Sequence, residues 1–210
     1  MKNNKEKFNS NTLSEIAHKE IKRLIIEGEL KAGDKIIQEN IARDFGISRI
    51  PIIQALSALH NEGLLEKVPR KGFYVKKISK KQLKDLLEMK LLLEEFGVKK
   101  LIENLNEENI EKLNEYLNKF KKHKDKDRKK YSLIDADFHY YLIESSGNEM
   151  ILKFVNSLNI LLLSTLHEIR VDNNESYSDH VKIVKGIIEK NCEQAVLSLR
   201  DNTNRVKAYV

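Results

Sequence analysis

Residues 46–63, running from Gly46 through Ser48-Arg49-Ile50-Pro51 to Gly63, constrain the fold of this chain more than any other stretch. They read as a tight turn followed by a short amphipathic helix. Gly46 closes a preceding helix that ends in Ile41–Phe45, because glycine adopts the left-handed C-cap conformation without a Cβ clash. Ser48 is placed to cap the next helix through its hydroxyl. Pro51 falls in the first turn of that helix, where a missing N–H costs little. Ile52, Ala55, Leu56 and Leu59 recur at helical spacing and form one apolar face, leaving Arg49, Gln54 and Ser57 to point elsewhere. A helix behind a tight turn, with arginine and small hydroxyl residues near its start, suits insertion into a DNA major groove.

The flanks support that reading. Upstream, Leu13–Glu27 carries Ile16, Ala17, Ile21, Leu24 and Ile25 at helical spacing and stops at Gly28, before the turn signal Lys31-Ala32-Gly33-Asp34. Downstream, Leu64–Val68 and Phe73–Val75 are short apolar runs around the basic tip Pro69-Arg70-Lys71-Gly72, which reads as a β-hairpin. Helix, helix-turn-helix and hairpin together predict a winged helix over residues 1–78, with the Arg70-Lys71 tip reaching phosphates or the minor groove.

Charge follows the same division. Of the formal net +6, residues 1–78 hold 15 Lys+Arg against 10 Asp+Glu, and residues 79–210 hold 23 against 22. The basic excess sits on the expected DNA-binding part, as phosphate neutralisation requires. The single cysteine, Cys192, excludes an intramolecular disulfide framework. The first eleven residues lack the apolar core of a secretory leader, and no stretch approaches the ~20 apolar residues of a membrane span. The expected compartment is the cytoplasm.

Residues 79–210 read as helix throughout. Ser79-Lys80-Lys81-Gln82 is a capping box opening a helix to about Asn104. Asn106 caps a second, with Ile110, Leu113, Leu117 and Phe120 on one face. The charged run Lys121–Lys130 is expected to be a solvated loop or frayed end, its mixed signs arguing against a second nucleic-acid patch. A third helix spans about Lys129–Ser145. A fourth, very apolar, runs from Glu149 to about Arg170, and the last two cover about Ser176–Lys190 and Cys192–Ala208. The expected class is therefore mainly α: a winged helix-turn-helix with a small β-hairpin wing, then an antiparallel six-helix bundle with room for a small-molecule site.

The candidate chemistry lies in the bundle. Asp135 and His139 stand at i, i+4, sharing a helix face one turn apart. That spacing suits a divalent metal, though such a pair alone is more often a surface or capping pair. His180, at the start of the fifth helix, is placed to join them across the bundle. A carboxylate with imidazoles suits Zn, Ni, Mn or Fe. His167 is a further candidate that also reads as a core histidine. His123 reads as solvated, and His18 and His60 have no metal-like company.

The run from Gly33 to Val75 resembles the DNA-binding domain of GntR-family transcriptional regulators. The resemblance rests on Ala32-Gly33-Asp34, Glu39-Asn40-Ile41-Ala42, Gly46–Leu56, Glu62-Gly63-Leu64 and Lys71-Gly72. It implies double-stranded operator DNA as partner, contacted by Arg43, Ser48, Arg49, Ile50 and Gln54 and by Arg70, Lys71 and Gly72 of the wing. The chain departs from the family at Ile53, where arginine is usual, and at Ile50, where threonine is usual. Asp135–His139, Ser146-Gly147-Asn148 and His180–Val184 resemble the FCD ligand-binding domain of the FadR branch, in the six-helix VanR-like form. That resemblance implies a homodimer and a metal held by Asp135, His139, His180 and a fourth position that falls on Asn202. It also implies a small organic or sugar acid effector near Lys90, His139 and His180, with Lys90 standing where arginine is frequent.

The leading expectation is a non-enzymatic, ligand-responsive repressor that binds no membrane. A weakly specific structural DNA-binding protein without a ligand is the alternative. A metal-dependent enzyme is a third reading, disfavoured because no nucleophile or second carboxylate pair stands at a telling spacing and the winged helix would go unexplained.

Overall fold

The computed structural model describes residues 12–153, 155 and 171–210. The chain divides into two compact units, Met1–Lys76 and Lys77–Val210.

In the first unit, helix α1 (Leu13–Ile26) opens with a reciprocal capping box. The Thr12 hydroxyl accepts from the Glu15 N–H, and the Glu15 carboxylate accepts from the Thr12 N–H. Ala17, Ile21 and Ile25, four residues apart, form its buried stripe. After strand β1 (Lys35–Ile36), helix α2 (Gln38–Phe45) ends at Gly46, whose φ of 67° is the left-handed cap read from the sequence. Helix α3 (Arg49–Asn61) buries Ile52, Ala55, Leu56 and Leu59 and packs on α1. Ile52, Leu56 and Leu59 each contribute roughly 1.5–3 kcal/mol by leaving water. Ser48 is the N-cap residue, but its hydroxyl makes no capping hydrogen bond, contrary to the expectation from its position. Pro51 in the first turn needs no N–H acceptor, which reduces the need for a side-chain cap.

Strands β2 (Leu65–Val68) and β3 (Gly72–Val75) form the expected hairpin, paired Leu65 to Val75 and Val68 to Gly72. Arg70 sits at its tip with φ 61°. The sheet has a third strand that the sequence reading omits. β1 pairs with the far edge of β3, Ile36 opposite Phe73, in the order β1-β3-β2. Two residues carry no periodicity to detect, and β1 exists only because β3 offers a free edge.

The second unit is helical. Helices α4 (Lys80–Glu103), α5 (Glu107–His123), α6 (Arg128–Glu144), α7 (Asn173–Ile188) and α8 (Cys192–Ala208) are complete, and residues 149–153 are also helical. Ser79 and Asn106 form capping boxes with Gln82 and Asn109, while Asp127, Asp172 and Asn191 cap the other three helices. The charged run 121–130 is not one loop. α5 carries it to His123 and α6 takes it up from Arg128, leaving only 124–127 as a turn. Lysines at the end of α5 favour its negative dipole end, and Asp127 supplies the next cap. The remainder of the expected fourth helix, with His167, lies outside the described residues.

Val98, Leu113, Phe120, Phe138, Leu142, Ile183, Ile187 and Leu199 form the core of this unit. Two glycines bring helices unusually close. A Cβ on Gly97 of α4 would lie 1.9 Å from the Leu142 carbonyl oxygen of α6, and one on Gly186 of α7 would lie 2.8 Å from the Ala195 nitrogen of α8.

Candidate nucleic-acid interface and metal centre

The exposed face of α3 is set by what the opposite face buries. Ile52, Ala55, Leu56 and Leu59 are at most 1% exposed, so Arg49, Ile50, Ile53 and Gln54 are turned outward. Arg49 reaches back to α2, where its Nη1 lies 2.9 Å from Glu39 Oε1. Both side chains are largely solvated, so the pair adds little to stability and opens at small cost. Arg43 is also exposed and lies 3.4 Å from Asp44 Oδ1. Ser48 is exposed with its hydroxyl uncommitted to the helix end. At the wing, Arg70 and Lys71 are exposed and Gly72, half-buried, takes φ 101°, a conformation that favours glycine. The two histidines of this unit are occupied structurally. His18 Nε2 lies 2.6 Å from Glu62 Oε1, and His60 Nδ1 lies 2.9 Å from the Leu65 carbonyl.

In the helical unit, Asp135 and His139 project from α6 and His180 from α7. One ligand atom from each lies within 4.8 Å of the others. His180 does not begin its helix as expected, because Asp172 caps α7 two turns earlier. It is fully buried in mid-helix. Asp135 Oδ1 stands 3.1 Å from His180 Nε2 and 3.8 Å from His139 Nε2. Tetrahedral ligands on bonds of about 2.1 Å stand about 3.4 Å apart, so these spacings bracket those of a first-row metal site. His180 Nε2 is buried without a hydrogen-bond partner despite its nearness to the carboxylate. An orphaned buried nitrogen facing a carboxylate fits a shared cation better than a shared proton.

The far nitrogen of each ring has a polar neighbour. His139 Nδ1 lies 2.6 Å from Glu94 Oε1, and His180 Nδ1 lies 3.4 Å from the Tyr131 hydroxyl. A carboxylate beside one Nδ1 and a hydroxyl beside the other allow Nδ1 to carry the ring proton and Nε2 to face Asp135, as in carboxylate–histidine–metal arrangements. The His180 ring also stacks on Phe120, with centroids 4.2 Å apart. Burial holds His180 below the ordinary histidine pKa, with the Asp135 carboxylate only partly offsetting it, so the imidazole is neutral. Burial alone would raise Asp135, but the imidazoles of His139 and His180 and the Lys90 ammonium outweigh it and hold the carboxyl well below its usual range. A neutral imidazole and an ionised carboxylate are the forms a metal requires. The donor set fits a divalent ion.

Glu94 is a member of this cluster that sequence reasoning missed. It is 0% exposed on α4, and the Lys90 Nζ lies 2.5 Å from the same Oε1 that approaches His139. Both contacts run off the line of a hydrogen bond, and both carboxylate oxygens lack a hydrogen-bond partner. Burial opposes its charge, but His139 and Lys90 keep its pKa low. The available signal was a carboxylate among Leu91–Leu93 and Gly97-Val98 with a lysine one turn before it. Lys90 is therefore engaged by Glu94. Asn202 is buried on α8, one turn beyond Ser198 and Leu199.

An exposed basic reading helix with a wing, carried in one chain with a helical unit that gathers such a site, defines a winged-helix transcription regulator. The chain belongs to the GntR family of bacterial regulatory proteins: residues 13–75 match the gntR-family model and residues 85–204 match the FCD domain. That family assignment makes it a regulator rather than an enzyme. It is 28% identical to the HTH-type transcriptional regulator LutR of Bacillus subtilis (strain 168), over 88% of this chain and 94% of that one. It is 27% identical to the gluconate operon transcriptional repressor of Bacillus licheniformis, over 91% and 82%. The solved structure of E. coli McbR/YncC shares its fold, with a TM-score of 0.80, 21% identity, and 93% and 95% of the two chains covered. Among the described residues no helix is long and apolar enough to cross a membrane.

Proposed function

We propose that this chain is a homodimeric repressor whose grip on operator DNA is controlled by a small organic or sugar acid bound on a divalent metal in its helical unit. The observation that carries this reading is the convergence of Asp135, His139 and His180. Two imidazole nitrogens and one carboxylate would hold Zn, Ni, Mn or Fe. A bound ion would offer Lewis-acid coordination to an effector carboxylate. Glu94 and Tyr131 orient the two imidazoles, and Lys90 neutralises Glu94. Asn202 is a candidate fourth ligand through its carbonyl oxygen. The boundary between DNA-binding and effector parts is taken at 78/79.

On DNA, Arg49 leaves Glu39 for a base or phosphate, while Arg43, Ser48 and Gln54 and the wing residues Arg70, Lys71 and Gly72 fix the register. Dimerisation is supported by an exposed apolar stripe on α4, where Met89, Leu92 and Phe96 are 39%, 67% and 39% exposed at i, i+3, i+7. A second copy across a two-fold axis would cover it and present two winged helices to a pseudo-palindromic site. The effector acts only through unequal affinity for the DNA-competent and incompetent arrangements.

The test is elemental analysis of protein purified without nickel resin or chelator, followed by operator titration. About one equivalent of metal per chain, lost in Asp135→Asn, is expected. Arg49→Ala should weaken operator binding by about 1–3 kcal/mol. A metal-free wild type would remove the metal-held effector, and unchanged binding by the Arg49 variant would remove α3 as the reading helix.

A further inference from the structure

We propose that Ile50 and Ile53 read the C5-methyl groups of thymine, so that each operator half-site carries thymines at the base pairs facing the start of α3. This rests on the DNA-binding reading above and adds to it the base identity that the helix selects. Ile50 is 68% exposed and Ile53 42% exposed, on the face of α3 opposite its buried stripe. Neither side chain is needed to complete the core, because Ile52, Ala55, Leu56 and Leu59 already fill that face. Two large β-branched side chains thus stand in water next to the exposed cation Arg49, in the unit that also carries the exposed Arg43, Arg70 and Lys71.

A surface with exposed cations calls for a polyanion, and an apolar spot within it calls for an apolar feature on that polyanion. Of the groups that the four base pairs present in the major groove, only the thymine methyl is apolar. Isoleucine offers no hydrogen bond to guanine or adenine edges, so at these positions it cannot substitute for a polar reading residue. Its stiff χ1 means that little rotamer freedom is lost on contact. Three residues along a helix advance about 4.5 Å, close to the roughly 3.4 Å step between bases. Ile50 and Ile53 therefore address neighbouring base pairs, and the recognised element is a short thymine-containing step rather than a single base.

The experiment uses the full chain. A binding selection from a random duplex library yields the preferred site, and each thymine in it is then replaced singly by deoxyuridine, which removes only the methyl group. Affinities are measured for wild type, Ile50→Ala and Ile53→Ala. Because both residues are exposed, the variants should keep the wild-type thermal midpoint. Wild type should lose about fourfold in affinity at each contacted thymine, which corresponds to about 0.8 kcal/mol for one buried carbon group. Each alanine variant should lose its sensitivity at its own thymine and keep it at the other. Ile53→Arg should shift selection at that position from thymine toward guanine.

Uracil substitution without effect at every position overturns the inference, as does a uracil penalty that persists undiminished in both alanine variants. The first result points to isoleucines that face a protein or nothing. If selection enriches no sequence and duplex binding shows no salt dependence, the DNA-binding reading itself fails and the inference falls with it. Enriched sites lacking thymine sensitivity leave the reading standing and remove only the inference.

Discussion

The two units keep their chemistry in opposite surroundings. In the winged helix, Arg49, Ile50, Ile53, Arg70 and Lys71 are in solvent, supported by a core that does not include them. In the helical unit, His139, His180 and Glu94 are within the packed interior, and His180 stacks on the core ring of Phe120. A surface site tolerates substitution without loss of fold, and its residues change affinity and specificity. A buried site shares its walls with the core, so the same substitution would touch stability and the proposed metal binding together. With the proposed roles, a change of operator would need only surface substitutions, while an effector site in the core would stay coupled to folding.

The contrast is open to direct test, beginning with the largest expected effect. Gly97→Ala places a Cβ 1.9 Å from the Leu142 carbonyl oxygen, backbone that cannot swing aside. It should destabilise the chain by about 3 kcal/mol, read as a lower denaturation midpoint, because overpacking at a helix crossing forces backbone shifts. A wild-type midpoint would show that α4 and α6 are not held as close as described.

His180→Ala should abolish stoichiometric metal and also lower stability, since it removes a ring stacked on Phe120 at 4.2 Å. Metal content and the melting curve of the chelated protein separate the two losses. Glu94→Gln should keep the fold while weakening metal affinity by about 10–100-fold, the usual cost of losing an outer partner of a ligating histidine. Retained affinity would reduce Glu94 to a partner of Lys90 alone.

Gly46→Ala strains a left-handed cap with open space around the added carbon. Its cost should be about 1–2 kcal/mol, smaller than that of Gly97→Ala despite the similar chemistry. The smallest effect is expected at the exposed pair Lys185–Glu189, whose Nζ–Oε1 distance is 3.8 Å. Lys185→Ala should change stability by less than about 1 kcal/mol.

Local signals made the winged helix legible. Gly46, Pro51 and the Ile52–Leu59 stripe announce a turn and a helix within eighteen residues, and the hairpin follows from two short apolar runs around a basic tip. The exception is β1, whose two residues form a strand only against the edge of β3. The Ser48 hydroxyl is a second exception, because a capping residue type specifies an opportunity and not a bond. In the helical unit the first two helices were legible through their caps at Ser79 and Asn106, and the charged run at 121–130 was not. Its lysines belong to the end of one helix and the start of the next, a division settled by Asp127 at the cap and by the packing of Phe120 and Tyr131.

The sequence by itself determined the element types, the basic bias of the first unit and the pairing of Asp135 with His139, because each depends on neighbours within about one helical turn. Tertiary structure decided that His180 sits in mid-helix against Phe120, that Asp135 faces both imidazoles, and that Glu94 closes on His139. Those relations join α4, α6 and α7 across tens of residues. No periodicity encodes them, since only the close crossing at Gly97 and the packed core between the helices bring the groups within reach.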